Sequence, residues 1–354
     1  MNFKDTVDQY FQDLESKQEF SGVVLITKGE TELYSGAFGY ASRAWKIKND
    51  LDIRFDTASI TKLFTTAAIL QLIDQSLLSL YTSAIEYLGL EGTKISKEVS
   101  VFHLLTHTSG IGDDCEEEDG EVYEDLWKTK PNYAVRNTED FLPNFAYKDP
   151  NFPPGEGCRY CNCSFVLLGL MIEKATGMSY RDYVRKNIFN KAHMADSEFL
   201  AMDRVHEKVA EGSDPIKNKA GEIVGWKKNI YSFPPIGSPD CGAYVTAGDL
   251  DRFLRAVQAG ELLSKEMTAA FLSPHVDYKD KGDWDMKYGY CLWFYVGKDG
   301  QIVSYQKEGI NAGASGLIRH FPAQDINVVI LSNLEDGVWA PIRKLHQLVI
   351  DGTV

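Results

Sequence analysis

The 354-residue chain has no long apolar run, no cluster of lysine and arginine, no internal repeat, no low-complexity tract and too few cysteines for a disulfide scaffold. Each absence removes a class of function. Without a stretch long and apolar enough to cross a bilayer, no membrane span is expected. The opening MNFKDTVDQYFQDLESKQEF is a charged amphipathic pattern rather than a basic segment followed by an apolar one, so the expectation is a cytoplasmic protein. A formal net charge of -14 disfavours nucleic acid, whose phosphates are bound by clustered basic residues. The six cysteines read as free thiols. CRYCNC at 158–163 supplies three of them, but no second Cys or His pair at zinc-like spacing accompanies it, so neither metal nor cofactor is expected. What is left as a partner is a small molecule, neutral or cationic by the sign of the chain's charge.

What is present begins with a helix whose apolar positions Phe3, Val7, Tyr10, Phe11 and Leu14 recur at helical spacing. GVVLITKG and TELYSGAFGYA follow as a strand hairpin turning at Gly29 and Glu30. Near the other end, MKYGYCLWFYV, QIVSYQK, ASGLIRHF and INVVILSN are four successive strand candidates, closed by an amphipathic helix, WAPIRKLHQLVI. The middle reads as helices and loops: VSVFHLLTH, CSFVLLGLMIEKATG with Gly177 as its stop, and SYRDYVRKNIF. The predicted fold class is therefore α+β, an antiparallel sheet built from both termini and flanked by terminal helices. Residues 1–80 and 246–354 form the sheet domain, 81–245 an inserted, mostly helical domain. DDCEEEDGEVYED at 113–125 reads as a solvated loop rather than a cation site.

One stretch breaks its own pattern. TASITKLFTTAAILQLID at 57–74 is a helix apolar nearly all round, yet it holds Lys62 with no acidic residue before Asp74 to pair with it. An ammonium is costly to bury alone. Ser59 lies one helical turn earlier, on the same face, so a hydroxyl and an amine can touch. The spacing S-x-x-K occurs twice, but Ser304 and Lys307 fall in a strand, where residues three apart point to opposite faces. The bland alternative is a capping hydroxyl at Ser59 and a lysine that snorkels outward.

Further segments decide between these. TASITK, then HLLTHTSG at 103–110, then PPGEGCRYCN with Tyr160 and Asn162, then AYVTAGDLDRF resemble the serine beta-lactamase-like superfamily: class C beta-lactamases, D-alanyl-D-alanine peptidases, D-aminopeptidases and related esterases. The similarity runs from about Gly22 to Asn333. Its third motif matches Lys307, Glu308 and Gly309, with Gly313 and Pro322 at the family's later glycine and proline positions. The resemblance implies an active site between the two domains and a serine hydrolase working through an acyl-enzyme on an ester, amide or peptide. It implies Ser59 as nucleophile and Lys62 and Tyr160 as proton carriers, without settling which is the general base. It implies further that Asn162 orients Lys62 and contacts substrate, that Lys307 supplies charge, and that the backbone N–H groups of Ser59 and Ile310 form an oxyanion hole. His107 in THTSG reads as structural.

Departures from the family pattern are Cys161 between Tyr160 and Asn162, and Glu308 where penicillin-recognising relatives carry Thr or Ser. An acid at that point repels a carboxylate, so beta-lactamase and D-alanyl-D-alanine carboxypeptidase activity is expected to be weak. A relative that uses the cleft only for binding or assembly is the rival from another class. The oligomeric state has no sequence signal.

Overall fold

The computed structural model describes residues 2–282 and 284–354. Its centre is an eight-stranded antiparallel sheet. The N-terminal hairpin supplies β1 (Gly22–Lys28) and β2 (Thr31–Phe38). The C-terminal part supplies β3 (Pro274–Asp280), β4 (Trp284–Gly289), β5 (Trp293–Gly297), β6 (Ile302–Asn311), β7 (Ala314–Phe321) and β8 (Ile326–Ser332). The spatial order is β2-β1-β8-β7-β6-β5-β4-β3. The chain's two ends meet where Gly22 faces Ser332 and Lys28 faces Ile326.

Because both faces of the sheet are covered, its central strand β8, INVVILS, is buried at every residue. Val328 and Ile330 pack under the terminal helices α1 (Phe3–Ser16) and α5 (Trp339–Ile350), beside Val7, Phe11 and Leu345. Val329 and Leu331 face the larger core, shared with α2 (Thr61–Asp74), α3 (Asn162–Thr176) and α4 (Ala247–Gln258). Cross-strand partners share a face. Lys307 stands opposite Ile318 of the larger core, and so points toward the inserted helices.

Three details depart from the expectation. MKYGYCLWFYV is two strands, because the chain reverses at Tyr290–Leu292, where Cys291 has φ 71°. Between α2 and α4, helices and loops are joined by an unforeseen hairpin, Ser213–Lys217 with Ile223–Lys228. The acidic stretch at 113–125 is not simply solvated: Asp113 and Asp114 are only 3% and 6% exposed. The expected stop of α3 is present, with Gly177 at φ 68° accepting the left-handed conformation that ends helices. No helix among the described residues is long and apolar enough to cross a membrane.

Candidate active site

The turn that presents Ser59 is fastened on both sides. Ala58, just before it, has φ 44°, a region side chains other than glycine rarely adopt. The Ala58 N–H donates to Asp56 Oδ1 at 2.7 Å, and Thr57 Oγ1 donates to the Ala243 carbonyl at 2.8 Å. Thr61 Oγ1 donates to the Ala58 carbonyl at 2.7 Å, where the short turn Ala58–Ile60 enters α2. Backbone strain of this kind persists only where its surroundings over-determine it. Burial pushes the Asp56 carboxyl up to about 6, against the pull of the Ala58 N–H.

From Thr61 to Leu72, α2 is buried all round, Lys62 included. Its ammonium has three acceptors: Ser59 Oγ at 3.0 Å, Asn162 Oδ1 at 2.7 Å and the Asp240 carbonyl at 2.7 Å. That uses all three donors of the group. Burial alone works to remove the proton, but Tyr160, Asp240 and Cys241 outweigh it and hold Lys62 above the usual lysine value. A charged Lys62 donates to Ser59.

Tyr160 stands between two cations. Lys307 Nζ is 3.4 Å from its phenol oxygen and 4.8 Å from its ring centre, and Lys62 Nζ is 5.1 Å from that centre. Lys307 is also buried, and Tyr160 and Glu308 reverse the effect of burial to raise its pKa. The His107 ring lies 4.4 Å from the Tyr160 ring, centre to centre, and its Nδ1 accepts the Cys161 N–H at 3.2 Å. Burial, with Lys307 and Lys62 nearby, holds His107 well below the usual histidine value, so it is neutral.

Gly309 explains why the third motif ends in glycine. A Cβ there would stand 2.1 Å from the Thr57 carbonyl oxygen and 2.7 Å from the Ser59 nitrogen. Strand β6 therefore lies directly against the turn that carries Ser59. β5 pairs with β6 only as far as Gln306, so the edge from Lys307 onward is unpaired on that side. Glu308 projects from the strand face opposite Lys307, partly exposed, its Oε2 accepting from Gln306 Nε2 at 3.0 Å. The same Gln306 accepts from Arg319 Nε at 2.8 Å.

Asn162 begins α3, whose N-cap residue Cys161 makes no side-chain cap bond. The cap comes from far along the chain: Asp113 accepts the Asn162 N–H at 2.8 Å and the Cys163 N–H at 2.9 Å. The Asn162 Nδ2 donates to Asp113 Oδ2 at 3.3 Å and to Tyr123 Oη at 2.8 Å. Tyr123 in turn donates to Asp114 Oδ1 at 2.8 Å. Asp113, Asp114 and Cys163 bring possible ligand atoms within 4.8 Å of one another, but the Asp113 oxygens are spent on N–H groups and Cys163 Sγ accepts the Asp114 N–H at 3.3 Å. All six cysteines are free thiols.

The structure thus brings Ser59, Lys62, Tyr160, Asn162, Lys307 and Gly309 together from three parts of the chain. Sequence reasoning missed the Asp240 carbonyl, which leaves no trace in residue type, and Asp113 and Tyr123, hidden in an acidic run. The Beta-lactamase family model matches residues 7–349. The chain belongs to the beta-lactamase family. A penicillin-binding protein of Bacillus subtilis is 32% identical to this beta-lactamase-family chain over 350 residues, 95% of this chain and 73% of that one. A penicillin-binding protein from Bacillus halodurans has a structure that superposes with TM-score 0.87 at 36% identity, covering 95% of this chain and 99% of that one. The D-amino acid amidase from Ochrobactrum anthropi, solved with L-phenylalanine amide, shares the fold at TM-score 0.79 and 19% identity, covering 99% of each chain. The family is one of serine hydrolases, and its large antiparallel sheet with flanking helices is the fold described above.

Proposed function

We propose that the chain is a serine hydrolase that forms an acyl-enzyme at Ser59 from an ester or an amide. The observation that carries this reading is the 3.0 Å contact of Lys62 Nζ with Ser59 Oγ, inside a helix where a lysine is otherwise costly. Ser59 Oγ attacks the acyl carbon, and the carbonyl π pair moves onto oxygen. The Ser59 proton passes to Tyr160, which must enter the step as the phenolate and becomes the neutral phenol, because Lys62 already carries its full complement. The backbone N–H groups of Ser59 and Ile310 receive the oxyanion, each such donor lowering the barrier by roughly 3 kcal/mol. As the tetrahedral species collapses, the bond to the leaving group breaks and Tyr160 returns the proton to it. Water repeats the sequence to release the acid.

The names of the relatives favour a second reading, a penicillin-binding or beta-lactamase activity. Against it stands the net charge of -14, which disfavours a substrate that carries a carboxylate. Glu308 does not add to this as the sequence suggested, because it leaves β6 on the face opposite Lys307, paired with Leu317 of the core under the terminal helices. The favoured substrate is an ester, or an amide whose flanking group is neutral or cationic. Turnover of p-nitrophenyl acetate, D-alanine p-nitroanilide and the cephalosporin nitrocefin by the parent and by Ser59→Ala tests this. Ser59-dependent turnover, faster on the ester or the D-amino-acid amide than on the cephalosporin, is expected. Equal rates in parent and variant, or a preference for the cephalosporin, would overturn it.

A further inference from the structure

The Asn162 amide sits between a group that can only donate and one that can only accept. Lys62, as an ammonium, offers hydrogens and no lone pair, and the Asp113 carboxylate offers lone pairs and no hydrogen. An amide between them has one favourable orientation, its oxygen toward Lys62 at 2.7 Å and its nitrogen toward Asp113 at 3.3 Å. The second amide hydrogen is taken by Tyr123 Oη at 2.8 Å. Asn162 is 5% exposed and Asp113 is 3% exposed, so both are buried.

Resting on the reading above, we infer that Asp113 and Tyr123 are positioning residues: they fix the Asn162 amide so that it holds Lys62 against Ser59, and they withdraw its hydrogens from the substrate. The cleft then has no amide donor at Asn162 for the carbonyl of an acylamino side chain. Selection of substrate falls to the open edge of β6, and simple esters serve as well as acylamino ones. The acidic segment, read from sequence as a solvated loop, is in part a buried bracket for the site.

A double-mutant cycle on kcat, run on two esters, tests this. Asp113 caps α3, so Asp113→Asn could fail to fold. Tyr123→Phe removes only a phenol oxygen and touches no helix N–H, which makes it the primary variant. With p-nitrophenyl acetate, Tyr123→Phe is expected to lower kcat about tenfold with KM within about twofold, and to lower it less than about twofold in an Asn162→Ala background. Asn162→Ala is expected to lower turnover of p-nitrophenyl acetate and of N-acetyl-D-alanine p-nitrophenyl ester by the same factor. Additive losses in the cycle, or an Asn162→Ala loss ten times larger on the acylamino ester, would overturn the inference while leaving the hydrolase intact. If the parent shows no Ser59-dependent turnover, the hydrolase reading fails instead. The bracket is then read without activity, from an NMR titration of the Lys62 ammonium: a shift in Tyr123→Phe that disappears in Asn162→Ala supports it, and superimposable curves overturn it.

Discussion

Gly309 lies so close to Thr57 that a methyl group on it would stand 2.1 Å from the Thr57 carbonyl oxygen. The obstacle is backbone, which cannot rotate aside as a flexible side chain can. Gly309→Ala must therefore push β6 away from the turn that carries Ser59, moving the Ile310 N–H from any oxyanion it serves. The expected outcome is a loss of about 100-fold in kcat/KM, the effect of removing one such donor, with a stability cost of about 1–3 kcal/mol from overpacking. Steady-state kinetics and thermal unfolding measure the two, and unchanged kcat/KM would contradict the placement.

Glu308 makes a separate prediction about substrate. Replacing it with threonine removes a negative charge beside the motif without altering Lys307 or Gly309. Because Glu308 stands on the face opposite Lys307, acylation by benzylpenicillin, which carries a carboxylate, is expected to stay within about twofold in Glu308→Thr. An acceleration of about tenfold or more would show that the Glu308 charge reaches the substrate.

The two buried lysines set the alkaline behaviour. Both are held above the ordinary lysine value of 10.5, despite burial, by Tyr160 and by the acidic groups near each. The stability they contribute is present below that ordinary value and is lost as pH rises through the higher folded values. Activity on an amide substrate is expected to stay level up to about pH 10 as far as the lysines are concerned. A rising limb in the lysine range would mean that a lysine must lose its proton before it acts, and would contradict the assignment of Tyr160 as acceptor, while a falling limb centred well below about pH 10 would contradict the raised lysines.

Asp114 reports the cost of burying the acidic bracket. Burial, with Asp113 and Asp240 nearby, pushes its carboxyl up to about 8 from the ordinary 3.8. A raised carboxyl favours the folded state while protonated, so stability falls as pH rises between these two values, by at most about 1.4 kcal/mol per pH unit for one proton. Asp114→Asn cannot ionise. Its stability relative to the parent is expected to climb across that window and to level off above about pH 8, followed by chemical denaturation. A difference that is flat with pH would contradict the buried, protonated state.

How much of this was legible in the residues depends on how local each relationship is. Ser59 and Lys62 could be paired from spacing alone because both lie within one helical turn. The near-continuous apolar runs of β1 and β8 were legible because each strand packs on both faces of the sheet. The Cys291 reversal was not, since apolar residues continue on both sides of the turn and periodicity sees no break. Asp113 escaped because an acidic run is ordinarily solvated, and the rule gives way where a helix N-terminus without its own cap takes a carboxylate from 49 residues away. The Asp240 carbonyl was invisible in principle, since every residue type carries the same backbone oxygen.

The central claim is a covalent bond at Ser59, and intact-protein mass spectrometry after treatment with a fluorophosphonate tests it most directly. The account predicts one adduct per chain, located by peptide mapping on the segment TASITK, and none in Ser59→Ala of the same fold by circular dichroism. No adduct on the parent, or one that persists in Ser59→Ala, would contradict it.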